Sequence, residues 1–349
     1  MKDIEITNNE AGMKLQKFCM HVLKEAPASF FYKMYRKKNI VVNKKKVTGN
    51  ETLQVGDHVQ FFLSDETFSK FSGDDGVTLE GKKNETSSPV KFMSGTDFEK
   101  NFKSQNIIYE NQHILIYNKP AGLLSQKARP EDISVNEVLL QYMLNKGYIN
   151  GASLKLFKPS VCNRLDRNTS GVILFGKTQS GSTYLSKEIR EGKLEKIYLA
   201  AVVGDFKKDG SYHHYILKDS KSNQSEVISE DEFKKIPDSL KASYKPIFTE
   251  YKKIDRLVLQ NEDEKNCYAS LLQVVLHTGK SHQIRADLKY LGNPILHDPK
   301  YGRKDNEVLL LERRAKASYQ MLHAWKVVLS GKEYKAAAPS SFGRLFNNY

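Results

Sequence analysis

Apolar residues recur at helical spacing in two short stretches near the N-terminus, separated by Pro27. A short apolar strand over Ile40–Val42 and a turn and strand from Leu53 to Leu63 come next. The apolar positions of the two predicted helices are Leu15, Phe18, Val22, Phe30, Phe31, Met34 and Tyr35. This pattern predicts a small module of two helices and a hairpin over residues 1–63.

Further along the chain, apolar runs bounded by turn residues predict strands, and apolar residues three to four positions apart predict helices. The predicted strands are Ile107–Tyr109, Ile114–Tyr117, Val172–Phe175, Lys196–Val202 and Leu271–Leu276. The predicted helices run from Ser134 to Gly147, from Ser180 to Glu191 and from Ser281 or His282 to Gly292. From Asp205 to Lys253 the sequence is polar, with only weak strand signals at Tyr215–Leu217 and Ser243–Phe248.

Residues 64–103 have a different composition from the segments on either side. Ser, Thr, Gly, Asp, Glu, Lys and Asn dominate, and the phenylalanines follow no clear period. Such a segment cannot bury enough apolar surface to order itself strongly. It predicts a flexible linker that lets the N-terminal module move independently of the rest.

Basic residues outnumber acidic ones. The 349 residues include 55 Lys and Arg against 41 Asp and Glu, which gives a formal net charge of +14. This charge favours a polyanionic partner such as a nucleic acid. On charge alone, a soluble basic protein without such a partner remains an open alternative.

The three cysteines, Cys19, Cys162 and Cys267, lie far apart and without C-x-x-C spacing. They predict neither a disulfide framework nor a zinc ribbon, and they indicate a reducing, cytoplasmic environment. Met1–Glu10 lacks the apolar core of a signal peptide. No apolar run approaches the roughly 20 residues of a membrane helix, so we expect no membrane association.

The stretch Val161–Lys177, VCNRLDRNTSGVILFGK, places an aspartate on a loop before an apolar strand. Asp166 lies between Arg164 and Arg167, and the turn-forming residues Asn168–Gly171 follow it. Guanidinium groups near a carboxylate favour its ionised form. Asp166 is therefore a candidate nucleophile.

A second informative stretch, Leu271–Tyr301, combines a strand, a turn and a helix. Arg285 falls near the start of the predicted helix and beside its apolar face, so it can point into the domain. The turn contains Gly-Lys-Ser, which also ends a phosphate-binding Walker loop. However, Val274 stands where that loop requires glycine, so this alternative fails.

The same stretch contains four residues of types that bind metals: His277, His282, His297 and Asp298. No pair among them has the i, i+4 spacing of helical metal ligands, and no cysteine cluster accompanies them. We therefore expect no metal site.

Arg164–Gly171, R-L-D-x-x-T-S-G before a hydrophobic strand, resembles the catalytic signature of RluA-type pseudouridine synthases, which isomerise uridine in RNA. Two more motifs of this family follow in order, K-x-Y-L-A at Lys196–Ala200 and T-G-[RK]-x-H-Q-I-R at Thr278–Arg285. The family's N-K-P-x-G element and its closing L-H-A strand are matched at Asn118–Gly122 and Leu322–Ala324.

The resemblance implies an α+β fold, with a catalytic domain over residues 104–349 built on a mixed, mainly antiparallel sheet flanked by helices. It implies that Asp166 is the nucleophile, that Arg285 pairs with it, and that the Tyr198 ring lies against the target base. It also implies substrate contacts for Arg164, Lys196, His282, Gln283 and Leu322.

The sequence departs from the family pattern at three positions. Asn163 stands where histidine is common, and Asp287 stands where a histidine often follows the motif arginine by two residues. His297-Asp298 replaces the usual G-D before K-Y-G.

Val41–Asp57 contains an apolar strand, V-N, a basic turn and then L-Q-V-G-D at Leu53–Asp57, and it resembles the ribosomal S4-type RNA-binding domain, whose pattern has V-x-x-G-D at that place. The resemblance implies that basic side chains of this module contact RNA phosphates. The candidate RNA-binding residues are Lys33, Arg36, Lys37, Lys38, Asn43, Lys44, Lys45 and Lys46. A lysine-rich solvated face is the alternative interpretation.

Conversion of uridine to pseudouridine neither gains nor loses electrons and releases no group, so we expect no cofactor. An S4-type module ahead of an RluA-type domain usually goes with large-subunit ribosomal RNA, which is therefore the expected partner of a monomeric enzyme. Two alternatives stay open. One is a non-catalytic ribosome-associated RNA-binding factor, and the other is a glycosidase-like hydrolase using Asp166, although a second carboxylic acid in a matching motif is lacking.

Overall fold

The computed structural model describes residues 1–73, 91–219, 222–260 and 266–347. The first elements are β1 (Lys2–Glu5), α1 (Leu15–Val22), α2 (Ala28–Arg36), β2 (Ile40–Val42), β3 (Lys45–Lys46), β4 (His58–Phe61), α3 (Asp65–Ser72), α4 (Gly95–Asn101), a 3-10 turn (Ser104–Asn106) and β5 (Ile107–Glu110). They are followed by β6 (Ile114–Lys119), α5 (Val135–Asn145), α6 (Gly151–Leu156), β7 (Ser160–Val161), β8 (Ser170–Gly176) and α7 (Gln179–Arg190).

The remaining strands and helices are β9 (Glu195–Val203), β10 (Gly210–Asp219), β11 (Gln224–Ser229), α8 (Glu230–Lys235), α9 (Asp238–Lys241), β12 (Lys245–Gln260), β13 (Asn266–Leu276), α10 (Gln283–Tyr290), α11 (Asn306–Ala315), β14 (Leu322–Leu329), β15 (Lys332–Lys335) and α12 (Ser340–Leu345). These elements form two compact units. The first unit comprises Met1–Ile116, Gln126–Asn163 and Leu174–Lys187, and the second comprises Tyr117–Ser125, Arg164–Ile173 and Glu188–Tyr349.

The N-terminal part of the first unit is a four-stranded sheet with two helices, α1 and α2. The strand order is β1-β4-β2-β3, and the buried rings of Phe18, Phe31 and Phe61 fill its core. The sequence pattern missed β1, because this edge strand has four residues and only Ile4 among them is buried. Its pairing with β4 is what defines it.

The predicted linker, residues 64–103, contains two short helices. Helix α3 contributes Phe68 to the N-terminal core, and α4 begins after Ser94, whose hydroxyl accepts a hydrogen bond from the Asp97 backbone. The middle of the predicted linker, 74–90, lies outside the described residues. The domain boundaries and the independent movement of the N-terminal module therefore stay predictions.

The second unit contains an antiparallel sheet with strand order β11-β10-β12-β13-β9-β14, and β15 pairs with β14. The first residues of β8 pair with β14 in parallel, His323 opposite Ser170. Helices α10, α11 and α12 contribute Leu288, Leu311 and Phe342 to the core cluster of this sheet. The predicted fold class, α+β with a mainly antiparallel sheet flanked by helices, is confirmed.

Strands β10 and β12 are much longer than the weak signals at Tyr215–Leu217 and Ser243–Phe248 suggested. Along the second half of β12, charged residues are interspersed with Ile254, Leu257 and Leu259, which pack against the core from half-buried positions. The alternation of apolar and polar residues that identifies a strand is therefore diluted.

Among the helices of the described residues, none combines the length and the apolar character needed to cross a membrane.

Candidate active site

In the loop before β8, the side chain of Asp166 is accessible to solvent, whereas that of its neighbour Leu165 is not. The side chain of Leu165 is buried in the core, whereas that of Asp166 is 31% exposed. The Asp166 carbonyl accepts a hydrogen bond from the Thr169 backbone at 3.1 Å, so the predicted turn is formed. The loop ends where Gly171 (φ +117°) approaches the Ala324 backbone so closely that a Cβ would lie 2.2 Å from the Ala324 oxygen. Only glycine fits this contact, which fixes where the loop becomes strand.

Arg285 in α10 makes an ion pair with Asp166, although 119 residues separate them in sequence. Arg285 Nη1 donates to the Asp166 carboxylate at 2.8 Å. The other side of the same guanidinium donates to Asp298, with Nε at 2.7 Å and Nη2 at 2.9 Å. Arg285 is buried, and Asp298 is buried as well. The bidentate contact with Asp298 therefore fixes the plane of the guanidinium and aims its third donor at Asp166.

The charges around Arg285 keep it protonated. Burial acts to lower its pKa, but hydrogen bonds and attraction to Asp298, and then to Asp166, outweigh burial and raise the pKa above its ordinary value. The permanent positive charge of the buried Arg285 therefore lies against the half-buried carboxylate of Asp166.

His282 occupies the N-cap of α10 in the left-handed backbone region, with φ 57° and ψ 19°. Its Nε2 lies 4.0 Å from the Asp166 carboxylate, and its Nδ1 is 2.9 Å from the Tyr301 hydroxyl. Burial lowers the pKa of His282; Asp166 opposes this effect, while Arg285 and Lys300 add to it. His282 is therefore a neutral imidazole at neutral pH, next to the Asp166 carboxylate.

Tyr198 lies on β9 and is buried in the core cluster that also contains Leu165. Burial and, secondarily, the charge of Asp166 raise the pKa of its phenol. The hydroxyl is therefore protonated at neutral pH. The structure thus gathers Asp166, Arg285, His282 and Tyr198 in one unit, as the family motifs suggested, while their roles stay predictions.

Residues 113–290, just over half of the chain, match the family model described as RNA pseudouridylate synthase. The chain belongs to the RNA pseudouridylate synthase family. The family predicted from the three motifs is thereby confirmed. Because the matched segment includes Asp166, Tyr198 and Arg285, these residues fall within the part of the chain that defines the family.

Curated relatives and a solved structure agree with this membership. The ribosomal large subunit pseudouridine synthase C of Vibrio vulnificus is 28% identical over 302 residues, which cover 86% of this chain and 79% of the relative. The enzyme of the same name from Escherichia coli is 28% identical over 332 residues, 93% of this chain and 87% of the relative. The human RNA pseudouridylate synthase domain containing 4 has the same fold, with a TM-score of 0.53, 18% identity and coverage of 72% and 95%.

In this pseudouridylate synthase, the last residue of β6 and the segment that follows it form hydrogen bonds with the backbone of the Asp166 loop. The fully buried amine of Lys119 donates to three carbonyl oxygens, those of Pro120 at 3.0 Å, Leu123 at 2.7 Å and Arg167 at 3.1 Å. The Ser125 hydroxyl donates to the Leu165 carbonyl at 2.8 Å and accepts from its N–H at 2.9 Å. These bonds hold the backbone on both sides of Asp166.

The buried amine of Lys119 makes the stability of the protein depend on pH. Burial lowers the pKa of Lys119 from 10.5 to about 7, and the charge of Asp166 opposes this shift. Between these values the unfolded chain binds a proton that the folded protein releases, so stability rises with pH over this range. We expect Lys119→Met, which cannot titrate, to lose this rise, on the order of a few kcal/mol.

The measurement is the free energy of unfolding by denaturant at pH 6.5, 8 and 9.5, for the wild type and Lys119→Met. The wild type should gain stability relative to the variant at each step upward. Lys316→Met removes an exposed lysine and serves as the control, with a constant difference from the wild type. Parallel curves for Lys119→Met and the wild type would contradict the assignment.

The other predicted substrate contacts lie in different surroundings. Arg164 is exposed, and Lys196 is half-buried, with its pKa lowered by burial. Leu322 is buried in the core cluster that includes Tyr198. Gln283 is also buried, and its amide bonds protein groups on both sides, donating to the Thr249 hydroxyl at 2.9 Å and accepting from the Lys280 N–H at 3.0 Å. This geometry supports a role for Gln283 in shaping the turn before α10.

Asp287, one of the departures from the family pattern, is a fully buried residue of α10, the helix that carries Arg285. His214 Nδ1 lies 2.7 Å from its carboxylate, and the Tyr251 hydroxyl donates to it at 2.6 Å. These partners belong to β10 and β12, so the network ties two strands to the helix that carries Arg285. Because the partners come from distant strands, no local sequence signal revealed this network.

The other two departures are also accommodated by local contacts. The Asn163 side-chain oxygen accepts from the Leu174 N–H at 2.7 Å. His297 has φ 57°, in the left-handed region that glycine favours, and its N–H donates to Glu312 at 2.8 Å. The backbone at His297 thus adopts a conformation that glycine favours, next to Asp298.

The predicted RNA-binding residues of the N-terminal module lie on its surface. All eight are exposed, namely Lys33, Arg36, Lys37, Lys38, Asn43, Lys44, Lys45 and Lys46. Asn43 also has a structural function, since its amide donates to Asp57 at 2.8 Å and accepts from the His58 N–H at 2.9 Å. The turn at Asn43 and Lys44 has positive φ at both positions, which suits a tight hairpin.

Within the part of the chain that the structure describes, no group of three or more His, Cys, Asp and Glu side chains could hold a metal ion.

Proposed function

We propose that this protein converts specific uridines of large-subunit ribosomal RNA to pseudouridine, with Asp166 as the nucleophile and without a cofactor. The observation that carries the proposal is the guanidinium of Arg285, which is fixed by Asp298 and donates to the half-buried carboxylate of Asp166. This arrangement supplies an ionised carboxylate on a supported loop, within a chain of the pseudouridylate synthase family.

The reaction breaks the bond between sugar C1′ and base N1 and forms a bond between C1′ and C5. The carboxylate of Asp166 attacks the sugar or the base and is released when the new bond forms, so the electrons balance without an oxidant. The proton on C5 leaves and N1 gains one. Arg285 stabilises the negative charge of Asp166 before the attack and after its release.

We assign Tyr198 to the base. Tyr198 lies close enough to Asp166 for that carboxylate to raise the pKa of its phenol, and in this proposal its ring offsets part of the cost of removing the uridine from its helix. Because the raised pKa keeps the phenol protonated, Tyr198 does not begin the reaction as a phenolate. Its oxygen accepts the C5 proton as its own proton passes to water, so the phenol stays neutral, and N1 takes its proton from water.

Three features support ribosomal RNA as the substrate. Two curated relatives are named ribosomal large subunit pseudouridine synthase C. The net charge is +14. The N-terminal module presents a basic exposed surface that we assign to RNA binding, in the manner of an S4-type domain. The proposal places the protein in the cytoplasm, where it would meet its RNA substrate. It also makes the protein a monomer, since one chain supplies Asp166, Arg285 and Tyr198.

Mapping of pseudouridines in large-subunit ribosomal RNA tests the proposal. We expect a strain lacking the gene to lose pseudouridine at a small set of positions and to regain it when the wild-type gene is restored. Purified protein should form pseudouridine at the same positions in an unmodified transcript without added metal or cofactor. An unchanged map in the deletion strain would favour a non-catalytic RNA-binding factor instead.

A further inference from the structure

Three aromatic rings form a column on one face of the sheet in the second unit. The rings of His213 and Phe248 stack with a centroid distance of 4.2 Å and an interplanar angle of 12°. The rings of Phe248 and His277 stack at 4.1 Å and 10°. His213 lies on β10, Phe248 lies opposite it on β12, and His277 directly follows β13, so the column crosses three adjacent strands.

This column is on the outward face of the sheet. Thr249, the next residue after Phe248, is buried on the opposite face, as the alternation of a strand requires. His213 and His277 are exposed and Phe248 is half-buried. The His277 side chain is 38% exposed, and its Nε2 lies 2.7 Å from the Glu250 carboxylate, which fixes the orientation of the ring.

The His277 end of the column is connected to the candidate active site by a short turn. His282 closes this turn, and its Nε2 lies 4.0 Å from Asp166. Lys280 is exposed within the turn, and the amine of Lys196 lies beside the turn at Gly279. Two lysines therefore lie in or beside the turn that links the column to α10.

We propose that the outer face of His277, at the end of the column nearest the turn, stacks an unpaired base of the RNA that flanks the nucleotide held at Asp166. Aromatic faces stack any base, which suits a position that flanks the target without being read. Lysines beside the turn can meet the connecting phosphates. A uridine that leaves its helix deprives its neighbour of a stacking partner, and the column replaces that partner.

This inference rests on the proposed function, because it assumes that the substrate is RNA. The competing explanation is that the column only stabilises the sheet, as cross-strand aromatic pairs do. A purely structural column would change the melting temperature and leave RNA affinity unaltered.

The test uses the full-length protein with two probes. A fluorescein-labelled oligouridylate measures binding by anisotropy, and an unmodified large-subunit ribosomal RNA transcript measures kcat and KM. Phe248→Leu keeps apolar volume but removes the ring, and His277→Ala removes the end of the column. We expect each variant to weaken oligouridylate binding by about five- to tenfold and to raise KM by a similar factor. The value of kcat should stay within about twofold.

Three comparisons separate stacking from other effects. Phe248→Trp keeps an aromatic ring stacked behind His277 and should bind as tightly as the wild type. Tyr268→Leu removes a half-buried ring at the far end of β13 and should leave affinity unchanged. The dependence of binding on salt should keep its slope in Phe248→Leu, because no phosphate contact is lost.

Unchanged affinity and KM in both Phe248→Leu and His277→Ala, with an active wild type, would overturn the stacking site and leave the proposed function intact. Weakened binding in these variants, with a wild type that forms no pseudouridine, would support the stacking site and reject the proposed function. Equal losses in Phe248→Leu and Tyr268→Leu would also overturn the inference, since any lost ring would then have the same effect.

Discussion

Asp166→Asn abolishes pseudouridine formation while leaving RNA binding intact; this is the largest effect that we expect. The amide has nearly the same shape, but it carries no negative charge and is a poor nucleophile. The loop should keep its backbone, since Lys119 and Ser125 bind carbonyl oxygens and an N–H rather than the Asp166 side chain. We expect kcat to fall on the order of 10⁴-fold or more.

The measurement is the pseudouridine content of ribosomal RNA from a deletion strain that carries the wild-type gene, Asp166→Asn, or Asp231→Asn. Asp231 is an exposed carboxylate in α8, and its variant is the matched control with full activity. Asp166→Glu keeps the charge but moves it by one methylene, so we expect activity to stay far below the wild type. Normal pseudouridine content with Asp166→Asn would refute the nucleophile assignment.

The central contact of the site could be predicted from the sequence because each partner lies on a local motif. Turn residues after Asp166 place it on a loop, and the helical pattern around Arg285 places it at a helix start. The resemblance to the family then supplied the pairing across 119 residues. The sequence pattern alone would not have joined the two, since nothing local encodes a contact at that distance.

The groups that hold Asp166 and Arg285 in place could not be predicted in the same way. Asp298 lies 13 residues after Arg285, and Lys119 reaches the Arg167 carbonyl across 48 residues. An ordinary buried lysine and a lysine that holds a catalytic loop have the same sequence signal. Only the carbonyl oxygens around its amine identify the function of Lys119.

Strands β10 and β12 show a different limit of prediction from sequence. The second half of β12 mixes charged residues with Ile254, Leu257 and Leu259, so its sequence shows no clear alternation of apolar and polar positions. These strands are held in the sheet by their hydrogen bonds with neighbouring strands and by the buried network of Asp287 with His214 and Tyr251. Both are long-range contacts, and the aromatic column on the outward face of the sheet was equally invisible before the register was known.

Arg285 is the second residue whose replacement has a large expected effect, and its two functions can be separated. Arg285→Met leaves the buried Asp298 carboxylate without the guanidinium that makes two hydrogen bonds to it. Breaking a buried ion pair by removing one partner costs about 3–5 kcal/mol of stability. Arg285→Lys keeps a charge but cannot reproduce the fork, so we expect it to lower kcat by about 10²–10³-fold.

The stability loss should depend on pH. Burial acts to raise the pKa of Asp298, but its hydrogen bonds to Arg285 and the charge of Arg285 outweigh burial and hold the pKa below the ordinary 3.8. The stability from this lowered pKa is present above the unfolded value and is lost as pH falls through the folded pKa. The difference between the wild type and Arg285→Met should therefore shrink below about pH 4.

The double variant Arg285→Met/Asp298→Leu distinguishes support of the fold from support of the chemistry. Replacing both buried charges with apolar groups removes the unpaired carboxylate, so stability should return toward that of the wild type. Pseudouridine formation should not return, because Asp166 still lacks its positive partner. Denaturant unfolding measures the first effect, and single-turnover kinetics on the ribosomal RNA transcript measure the second. If activity recovered together with stability, Arg285 would act only through the fold, and its assignment as the partner of the nucleophile would be wrong.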